Sequence, residues 1–412
     1  MIEKRGKVIK KISIVVAAYN RANSLERVLN SLSLAKYPEG KNVELIISLD
    51  KDESNNVVKL AKSFEWDHGD KLLIVHPKNL GLKKHILSCG DLVLDKKRDA
   101  IVLLEDDLFV GPNFYSYAQK AVSFFESESY VAGIALYSHR FNESGFMSFT
   151  PSITRYENYF LQVPCSWGQV WTKSQWGEFK AWYSEVDENV FDKNKLLPRD
   201  VLKWPDTSWK KYFFQYMVEK DKYFVYPYNS LSTNFADVGT HHFDERTTLQ
   251  VPISFKSEFE GNLARFNDGA FVYDSHCEIL PEILKKMSSK LASYDFDVDL
   301  YGSKELHHLK RPYVITSKTL SGSFEMKFSR SLKPHELNIA WDLKGEEFFL
   351  IKTSSLKSYL TSGDGVSDIH KNSYYFNIPV EYLKIDYLSE EKSDNVINKA
   401  QEVVQEFNEY QI

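Results

Sequence analysis

The chain has 412 residues, and its content of 43% hydrophobic and 26% charged residues is ordinary for a soluble globular protein. A formal net charge of -5 argues against nucleic acid as a main partner, because domains that bind nucleic acids are usually basic. The cysteines Cys89, Cys165 and Cys277 are too widely spaced to indicate a disulfide framework or a CxxC zinc site.

In the first half of the chain, apolar runs alternate with helical patterns. The runs that predict buried strands are 12–18, 43–49, 71–76, 101–104 and 131–137. Helical spacing of apolar residues occurs near 25–32, 57–61, 82–94 and 112–126. We expect Asn23 or Ser24 to cap the first helix. The alternation predicts an α/β fold with a doubly wound, mostly parallel sheet, in which ligands bind beyond the carboxyl ends of the strands.

Three consecutive acids, Glu105, Asp106 and Asp107, end the apolar run that begins at residue 101. Adjacent carboxylates repel one another when they lose water, and a divalent cation offsets this repulsion because hard cations prefer carboxylate oxygens. Arg21 and Asp50 also follow predicted strands. The sequence therefore predicts a metal-assisted site at the carboxyl edge of the sheet, and a solvated acidic turn is the simpler alternative.

A resemblance to a known family joins these residues. The segments ISIVVAAYNR, IISLD, NLGLKKH and VLLEDD, in this order, resemble nucleotide-sugar-dependent glycosyltransferases of the GT-A fold. The stretch EDDLFVGPNFYSYA is similar to the N-acetylglucosaminyltransferase I group. The stretch PCSWGQVW, at 164–171, is similar to the acceptor-side loop of bacterial family-2-like glycosyltransferases. The resemblance extends over about residues 10–250 and implies a Rossmann-like sheet flanked by helices.

The resemblance implies a donor site at the ends of the first strands. Tyr19 and Arg21 would contact the nucleotide or its diphosphate. Asp50 would accept a hydrogen bond from the N–H of a uracil ring, and Lys84 would lie near the phosphates. Two plainer roles stay open, namely a surface salt bridge for Arg21 and an N-cap for Asp50 before a helix over 52–62.

The resemblance also implies a metal cofactor, Mn²⁺ or Mg²⁺. Asp107 would bind the ion that bridges the donor diphosphate, while Glu105 and Asp106 would contact the ribose, the donor sugar or metal-bound water. A later loop carries His241 and His242 in a Gly-x-x-His pattern similar to that of the resembling group. Either histidine would lie near the pyrophosphate, and we assign the metal contact to His242; a surface loop is the alternative.

In the segment WPDTSW an aspartate, Asp206, stands between two tryptophans. An inverting glycosyltransferase needs a carboxylate that takes the proton from the acceptor hydroxyl. We predict Asp206 as this base, because aromatic neighbours would desolvate it and raise its basicity. The alternative, an N-cap for a helix over 207–219, is compatible with that role. Trp167, Gly168 and Trp204 are expected on the acceptor side. Weaker candidates for the base are Asp187, Asp192 and Asp200.

The composition changes after about residue 275, where 279–294 have the spacing of an amphipathic helix. Short alternating runs predict strands, namely YVITSKTL, SFEMKFS, LNIAWDL, FFLIKTS, YYFNIPV and YLKIDYL. A final amphipathic helix is predicted over about 392–408. We therefore predict a GT-A domain at 1–295 and a smaller β-rich accessory domain at 296–412. The accessory domain would be structural or position the acceptor, and a carbohydrate-binding module is the alternative.

These predictions describe a metal-dependent inverting hexosyltransferase of surface polysaccharide synthesis. Its donor would be UDP-N-acetylglucosamine or a related UDP-hexose, and its acceptor a saccharide or a lipid-linked saccharide. One alternative is a catalytically inactive GT-A subunit that binds glycans as a scaffold. A second is a nucleotidyltransferase, which the segment YNRANS disfavours because it lacks a glycine-rich basic loop.

The sequence also bears on where the protein acts. No run approaches the roughly 18–20 apolar residues that span a bilayer. The basic N-terminus leads into a predicted strand and not into a cleavable apolar region, so we expect no signal peptide. We expect a bacterial-type cytoplasmic protein. Its basic first eleven residues leave open a peripheral contact with the inner membrane face, with a solvated tail as the alternative.

Overall fold

The structure, a computed structural model, describes residues 10–356 except 41, 146, 188–189, 194–195, 236, 238–248, 257 and 319–323. The strands are β1 (Ile12–Ala18), β2 (Leu45–Leu49), β3 (Lys71–Val75), β4 (Ala100–Glu105), β5 (Leu108–Val110), β6 (Val131–Ala135), β7 (Phe141–Asn142), β8 (Met147–Ser148), β9 (Asn158–Leu161), β10 (Gln169–Thr172), β11 (Tyr223–Pro227), β12 (Ser232–Asn234), β13 (Val272–Tyr273), β14 (Phe296–Asp299), β15 (Tyr313–Thr316), β16 (Met326–Phe328) and β17 (Phe348–Lys352). The α-helices are α1 (Ala22–Ser33), α2 (Asn56–Ser63), α3 (Leu82–Asp91), α4 (Phe114–Phe125), α5 (Lys173–Glu185), α6 (Val190–Lys193), α7 (Arg199–Leu202), α8 (Trp209–Glu219), α9 (Pro281–Met287), α10 (Glu336–Ala340) and α11 (Thr353–Leu356). Short 3₁₀ turns span Leu92–Leu94, Ser289–Leu291 and Leu306–His308. Within this described part of the chain, no helix is both long and apolar enough to cross a membrane.

The main sheet has nine strands in the order β13-β9-β11-β6-β10-β4-β1-β2-β3. β1 is parallel to β2 and β4, and β2 is parallel to β3, whereas β10 is antiparallel to both of its neighbours. β1 is buried along its whole length, as expected for a central parallel strand that is covered on both faces. The predicted α/β architecture with a mostly parallel sheet is therefore confirmed.

Helices cover both faces of this sheet. On one face, α1 and α4 bury residues such as Leu29 and Phe125 in a cluster that also includes residues of α2. On the other face, α3, α5 and α8 contribute to a second cluster through residues such as Ile86, Phe179 and Phe213. This doubly wound arrangement leaves the carboxyl ends of β1, β2 and β4 together at one edge, as predicted.

The start of α1 differs from the predicted one. The helix begins at Ala22, and Arg21 is its N-cap residue, so the predicted cap at Asn23 or Ser24 is wrong. The Ser24 hydroxyl donates instead to Asp237 Oδ2 at 2.7 Å. A long-range contact therefore uses a side chain that the local pattern assigned to capping.

A second sheet has four strands in the order β14-β15-β17-β16. Three of them confirm the predicted runs YVITSKTL, SFEMKFS and FFLIKTS. The prediction of a strand at LNIAWDL is wrong, because this segment forms α10. The buried Glu336 carboxylate at its first residue accepts hydrogen bonds of 2.7 Å from Ser152 Oγ and Tyr273 Oη, which hold the helix against the main sheet. The last two predicted strands and the helix over 392–408 lie outside the described residues.

The two sheets share one hydrophobic cluster, in which Phe296 and Leu350 of the second sheet join Tyr273 of the first. Between the sheets, the predicted helix over 279–294 is confined to α9, because the backbone is extended at Ser288. The division into domains 1–295 and 296–412 stays a prediction.

Candidate functional site

At the carboxyl edge of the main sheet, the Arg21 guanidinium contacts two of the three acids that follow the apolar part of β4. Its Nη2 donates to Asp106 Oδ1, and its Nη1 donates to Asp107 Oδ2 at 3.2 Å. The Asp106 side chain is 5% exposed and that of Arg21 is 23% exposed. The pairing is therefore largely buried, and the alternative of a plain surface salt bridge for Arg21 does not describe it.

Two acids of this edge, Glu105 and Asp106, hold their protons more tightly than free carboxyl groups do. Burial raises the pKa of Glu105 to about 8, and the charges of Asp107 and Asp106 contribute to the shift. Burial also raises the pKa of Asp106 to about 6, against the opposing charge of Arg21. Burial alone would lower the pKa of Arg21, but the charges of both aspartates raise it overall. The edge is thus an electronegative site at which a further cation would be stabilised.

The chemistry of Asp107 fits a divalent metal ion. Its side chain is 19% exposed, and Oδ2 accepts from Arg21, while Oδ1 accepts no hydrogen bond from any residue that the structure describes. A carboxylate oxygen of this kind is a preferred ligand of Mg²⁺ and Mn²⁺. The other predicted metal ligand, His242, and its neighbour His241 lie outside the described residues.

Among the residues described, the three acids of the edge do not bring three ligand atoms close together. The group that does so is Glu305, His307 and His308, whose ligand atoms lie within 4.8 Å of one another. That group belongs to the segment between β14 and β15. Asp107 would therefore contribute a protein ligand to an ion that depends on further oxygens from a bound diphosphate or from water.

Asp50 joins the end of β2 to the loop before α3. Its Oδ1 accepts from the backbone N–H of Leu80 at 2.8 Å, and its Oδ2 accepts from that of Gly81 at 3.0 Å. The alternative of an N-cap for Asp50 is wrong, because α2 begins at Asn56 after the cap residue Asn55. Oδ1 also accepts from the backbone N–H of Lys51 at 2.9 Å, so a further acceptor site remains on Oδ2. The carboxylate is 5% exposed at the same edge as the acids.

The remaining residues predicted to bind the donor are Tyr19, which follows β1, and Lys84, in α3. Tyr19 is half-buried, and a hydrogen bond with its backbone opposes the rise in the pKa of Asp106. Lys84 is exposed in the first turn of α3. The adjacent Lys83 donates to the carbonyl oxygen of Asp206 at 2.7 Å. This contact ties the start of α3 to the segment that carries the predicted base.

Asp206 lies just before α8. The alternative of an N-cap is wrong, because α8 begins at Trp209 and Ser208 is its cap residue. The Asp206 carboxylate accepts from Lys211 Nζ at 2.9 Å and is 71% exposed, so the predicted desolvation by aromatic neighbours is not found. Its Oδ2 accepts no hydrogen bond within the described part of the chain.

Trp167 and Trp204, predicted on the acceptor side, lie on either side of a lysine that the sequence reading did not select. Lys210 Nζ is 4.9 Å from the ring centroid of Trp167 and 5.2 Å from that of Trp204. Lys210 is half-buried in the first turn of α8. The sequence offers no signal for it, since it is one member of a Lys-Lys pair and the Trp167 ring beside it comes from a distant segment.

The loop before β10 needs glycine at position 168. Gly168 has a φ of +93°, and a Cβ there would lie 3.0 Å from Ser232 Oγ and 3.3 Å from the Leu136 side chain. Its carbonyl accepts from the backbone N–H of Leu136 at 2.9 Å. Gly168 therefore fixes the position of Trp167 beside β6 and β12.

The chain segment that leads into the predicted histidine loop reaches the same edge. The backbone N–H of Phe235 donates to the carbonyl of Asp107 at 2.9 Å. Arg21 Nη1 donates to the carbonyl of Asp237 at 3.3 Å, and the Asp237 carboxylate accepts from Arg27. These contacts, which sequence reasoning missed, place the approach to the loop beside the acids.

Part of the chain matches a protein-family model. Residues 13–173 match the family model described as glycosyl transferase family 2. The matched range contains Arg21, Asp50, the three acids and Trp167. No curated protein matches the chain. The family match confirms the predicted resemblance to nucleotide-sugar glycosyltransferases and the prediction of an enzyme.

Several solved structures are similar over part of the chain. A mannosyltransferase, PcManGT from Pyrobaculum calidifontis in complex with GDP-Man and Mn²⁺, is 12% identical over 40% of this chain and 45% of its own, with a TM-score of 0.29. S. aureus TarS 1-349 in complex with UDP-GlcNAc is 12% identical over 56% and 60%, with a TM-score of 0.35. GalNAc-T7 with UDP, GalNAc and Mn²⁺ is 11% identical over 54% and 43%, with a TM-score of 0.37. The chain thus spans 43–60% of the lengths of these three proteins, and we infer no substrate from them.

Proposed function

We propose, from the premise that residues 13–173 form a family-2 glycosyltransferase region, that this protein transfers a hexose from a UDP-sugar to a saccharide or lipid-linked saccharide. The transfer would invert the anomeric configuration and use Mn²⁺ or Mg²⁺, and UDP-N-acetylglucosamine or a related UDP-hexose is the proposed donor. The observation that carries the proposal is the Arg21 guanidinium joined to Asp106 and Asp107 at the carboxyl edge of the sheet.

The donor would lie across the ends of β1, β2 and β4. Asp50, held by three backbone N–H groups, keeps a lone pair of Oδ2 for the N–H of a uracil ring. Tyr19 would border the nucleotide, and Lys84 would reach the phosphates from the exposed first turn of α3. Glu105 would contact the sugar or the ribose from the end of β4.

Charge stabilisation drives the proposed reaction. A divalent ion held by Asp107, with His242 as the other proposed ligand, would offset the negative charge that develops on the leaving nucleoside diphosphate. Arg21 supplies a fixed positive charge beside it, and the buried Asp106 carboxylate holds that guanidinium in place. Both groups act only if the diphosphate lies beside them.

Asp206 is the proposed base on the acceptor side. Lys211 occupies its Oδ1, so Oδ2 is the atom that would accept the proton of the acceptor hydroxyl. Trp167, Gly168 and Trp204 would form the wall against which the acceptor packs. We further propose that the protein acts in surface polysaccharide synthesis. It would do so in the cytoplasm, in contact with the inner membrane face. Residues 296–412 would form an accessory domain.

A second function, an inactive subunit that binds glycans, is favoured by one observation. The group that contacts both acceptor-side tryptophan rings is the ammonium of Lys210, which cannot act as a base while it is protonated. Such a subunit would bind a saccharide without releasing nucleotide from a donor.

Calorimetric titration of a panel of nucleotide sugars, with Mn²⁺ and with EDTA, tests the proposal, together with measurement of slow nucleotide release. We expect metal-dependent binding of one UDP-sugar and its slow hydrolysis. Asp107→Ala should abolish both, whereas Asp67→Ala, which changes an exposed acid elsewhere, should abolish neither. Binding of no nucleotide sugar would contradict the glycosyltransferase function, and binding of a glycan without nucleotide release would support the scaffold.

A further inference from the structure

The Lys210 ammonium is a half-buried cation that lacks a polar partner. It makes no hydrogen bond and no ion pair with any of the residues that the structure describes, and its close neighbours are the Trp167 and Trp204 rings. The adjacent Lys211 is fully occupied by comparison, since its ammonium donates to the Trp204 carbonyl at 2.8 Å and to Asp206 Oδ1 at 2.9 Å. The side chains of its two aromatic neighbours offer no oxygen or nitrogen acceptor, so the Lys210 ammonium keeps its N–H donors available for an anion.

Within the described residues, the acids of the edge form no ion pair with the Lys210 ammonium. The Lys210 charge lowers the pKa of Glu105, so the two groups sense each other, yet no ion pair joins them within the described residues. Arg21 already binds Asp106 and Asp107 on the donor side. The two cations therefore serve different sides of the edge, and Lys210 is on the side of the tryptophans.

A second group near this wall also lacks partners. Gln169 is fully buried on β10, and neither its Oε1 nor its Nε2 has a hydrogen-bond partner among the residues that the structure describes. It is paired in register with Leu103, two residues before Glu105, so Gln169 and Glu105 belong to the same face of the sheet. A buried amide with no partner is rare in native proteins and indicates a bound polar group or water.

We infer that Lys210 binds an anionic group, a phosphate or a carboxylate, carried by the acceptor saccharide. The sugar ring would pack on the indole rings of Trp167 and Trp204, which offer flat apolar surfaces. The ammonium would then form charge-assisted hydrogen bonds to the anionic oxygens, and a lysine is suited to phosphate as a point charge. This inference deepens the proposed function and rests on its assignment of the acceptor side.

Tryptophan fluorescence tests the inference, because two indole rings border the ammonium. The protein is first saturated with UDP and Mn²⁺, so that anions no longer enter the diphosphate site. It is then titrated separately with glucose 6-phosphate, glucuronate and glucose. We expect both or one of the anionic sugars to bind at least about tenfold more tightly than glucose, as a charge-assisted hydrogen bond provides. Tighter binding of glucose 6-phosphate would indicate that the acceptor carries a phosphate, and tighter binding of glucuronate would indicate that it carries a carboxylate.

Matched variants assign the effect to this lysine. Lys210→Met should remove the preference for the anionic sugar, Lys210→Arg should retain most of it, and Lys203→Met, at an exposed lysine in the same region, should not change it. Equal binding of glucose and both anionic sugars by the wild-type protein would overturn the inference, even if Lys210→Met were unstable. So would an unchanged preference in a folded Lys210→Met variant. Failure of UDP to bind would count against the proposed function. The inference would then be judged by whether Lys210→Met removes the anion preference, because this substitution leaves Arg21 in place.

Discussion

The guanidinium of Arg21 holds the buried carboxylate of Asp106 across the junction between β1 and the end of β4. Arg21 is also the N-cap residue of α1, although its side chain caps nothing there. One residue thus links the first strand, the first helix and the acidic edge. Its contribution to stability should therefore depend on the charge of Asp106.

Arg21→Met tests this dependence, because the substitution keeps an unbranched apolar side chain but removes the charge. At pH 8 it removes the charge that pairs with the ionised, buried Asp106, and we expect the free energy of unfolding to fall by about 3 kcal/mol. At pH 5 the loss should be smaller, because Asp106, with a pKa of about 6, is then mostly protonated. Urea unfolding at both pH values measures this, with Arg155→Met as an exposed control. Equal losses at pH 5 and pH 8 would contradict the coupling.

The buried His139 imidazole should lower the free energy of unfolding in acid. It is 3% exposed, and burial, followed by the charge of Lys210, lowers its pKa to about 3. Its folded pKa lies below the unfolded value of about 6.5, so its neutral form contributes stability that is complete above pH 6.5 and is lost as the pH falls toward 3. His139→Phe fits a ring among Tyr137, Phe149 and Tyr226 and removes the titration.

The wild-type protein should therefore lose about 2 kcal/mol more than His139→Phe between pH 6 and pH 4. Parallel urea unfolding series across this interval measure the difference, and other titrating groups cancel because both proteins contain them. Superimposable pH profiles for the two proteins would show that His139 is not buried in its neutral form.

Five of the nine strands of the main sheet, namely β1, β2, β3, β4 and β6, were predicted, because buried parallel strands are continuous apolar runs. No strand was predicted at β9, β10, β11 or β13. The polar groups at the carboxyl edge of the sheet were predicted because they directly follow those apolar runs in the sequence. Capping could not be predicted reliably, since the hydrogen-bond partners of Ser24 and Asp50, an acceptor and a donor respectively, lie far away in sequence. Lys210 was missed for the same reason, because its significance depends on ring positions set by the tertiary fold.

A pair of glycines tests the rigidity of the acceptor wall. Gly168→Ala places a methyl group 3.0 Å from Ser232 Oγ at a φ of +93°, so we expect a loss of about 1–3 kcal/mol and impaired acceptor binding. Gly177→Ala is the matched control, since nothing lies within 4 Å of its Cβ in the interior of α5. It should stabilise the protein by up to about 1 kcal/mol. Thermal unfolding of both variants measures the difference, and equal effects would show that Gly168 is not required.

The assignment of Asp206 as base depends on separating its carboxylate from its ion pair. Asp206→Asn keeps the shape but cannot accept a proton, so transfer should fall by about 100-fold or more, while the affinity for the metal-bound donor stays unchanged. Lys211→Met removes the partner of Oδ1 and leaves the carboxylate in place, so it should affect transfer much less. If both variants reduced the rate of transfer equally, Asp206 would contribute to transfer through its ion pair with Lys211 and not by accepting a proton. If neither variant reduced transfer, the base would be another group.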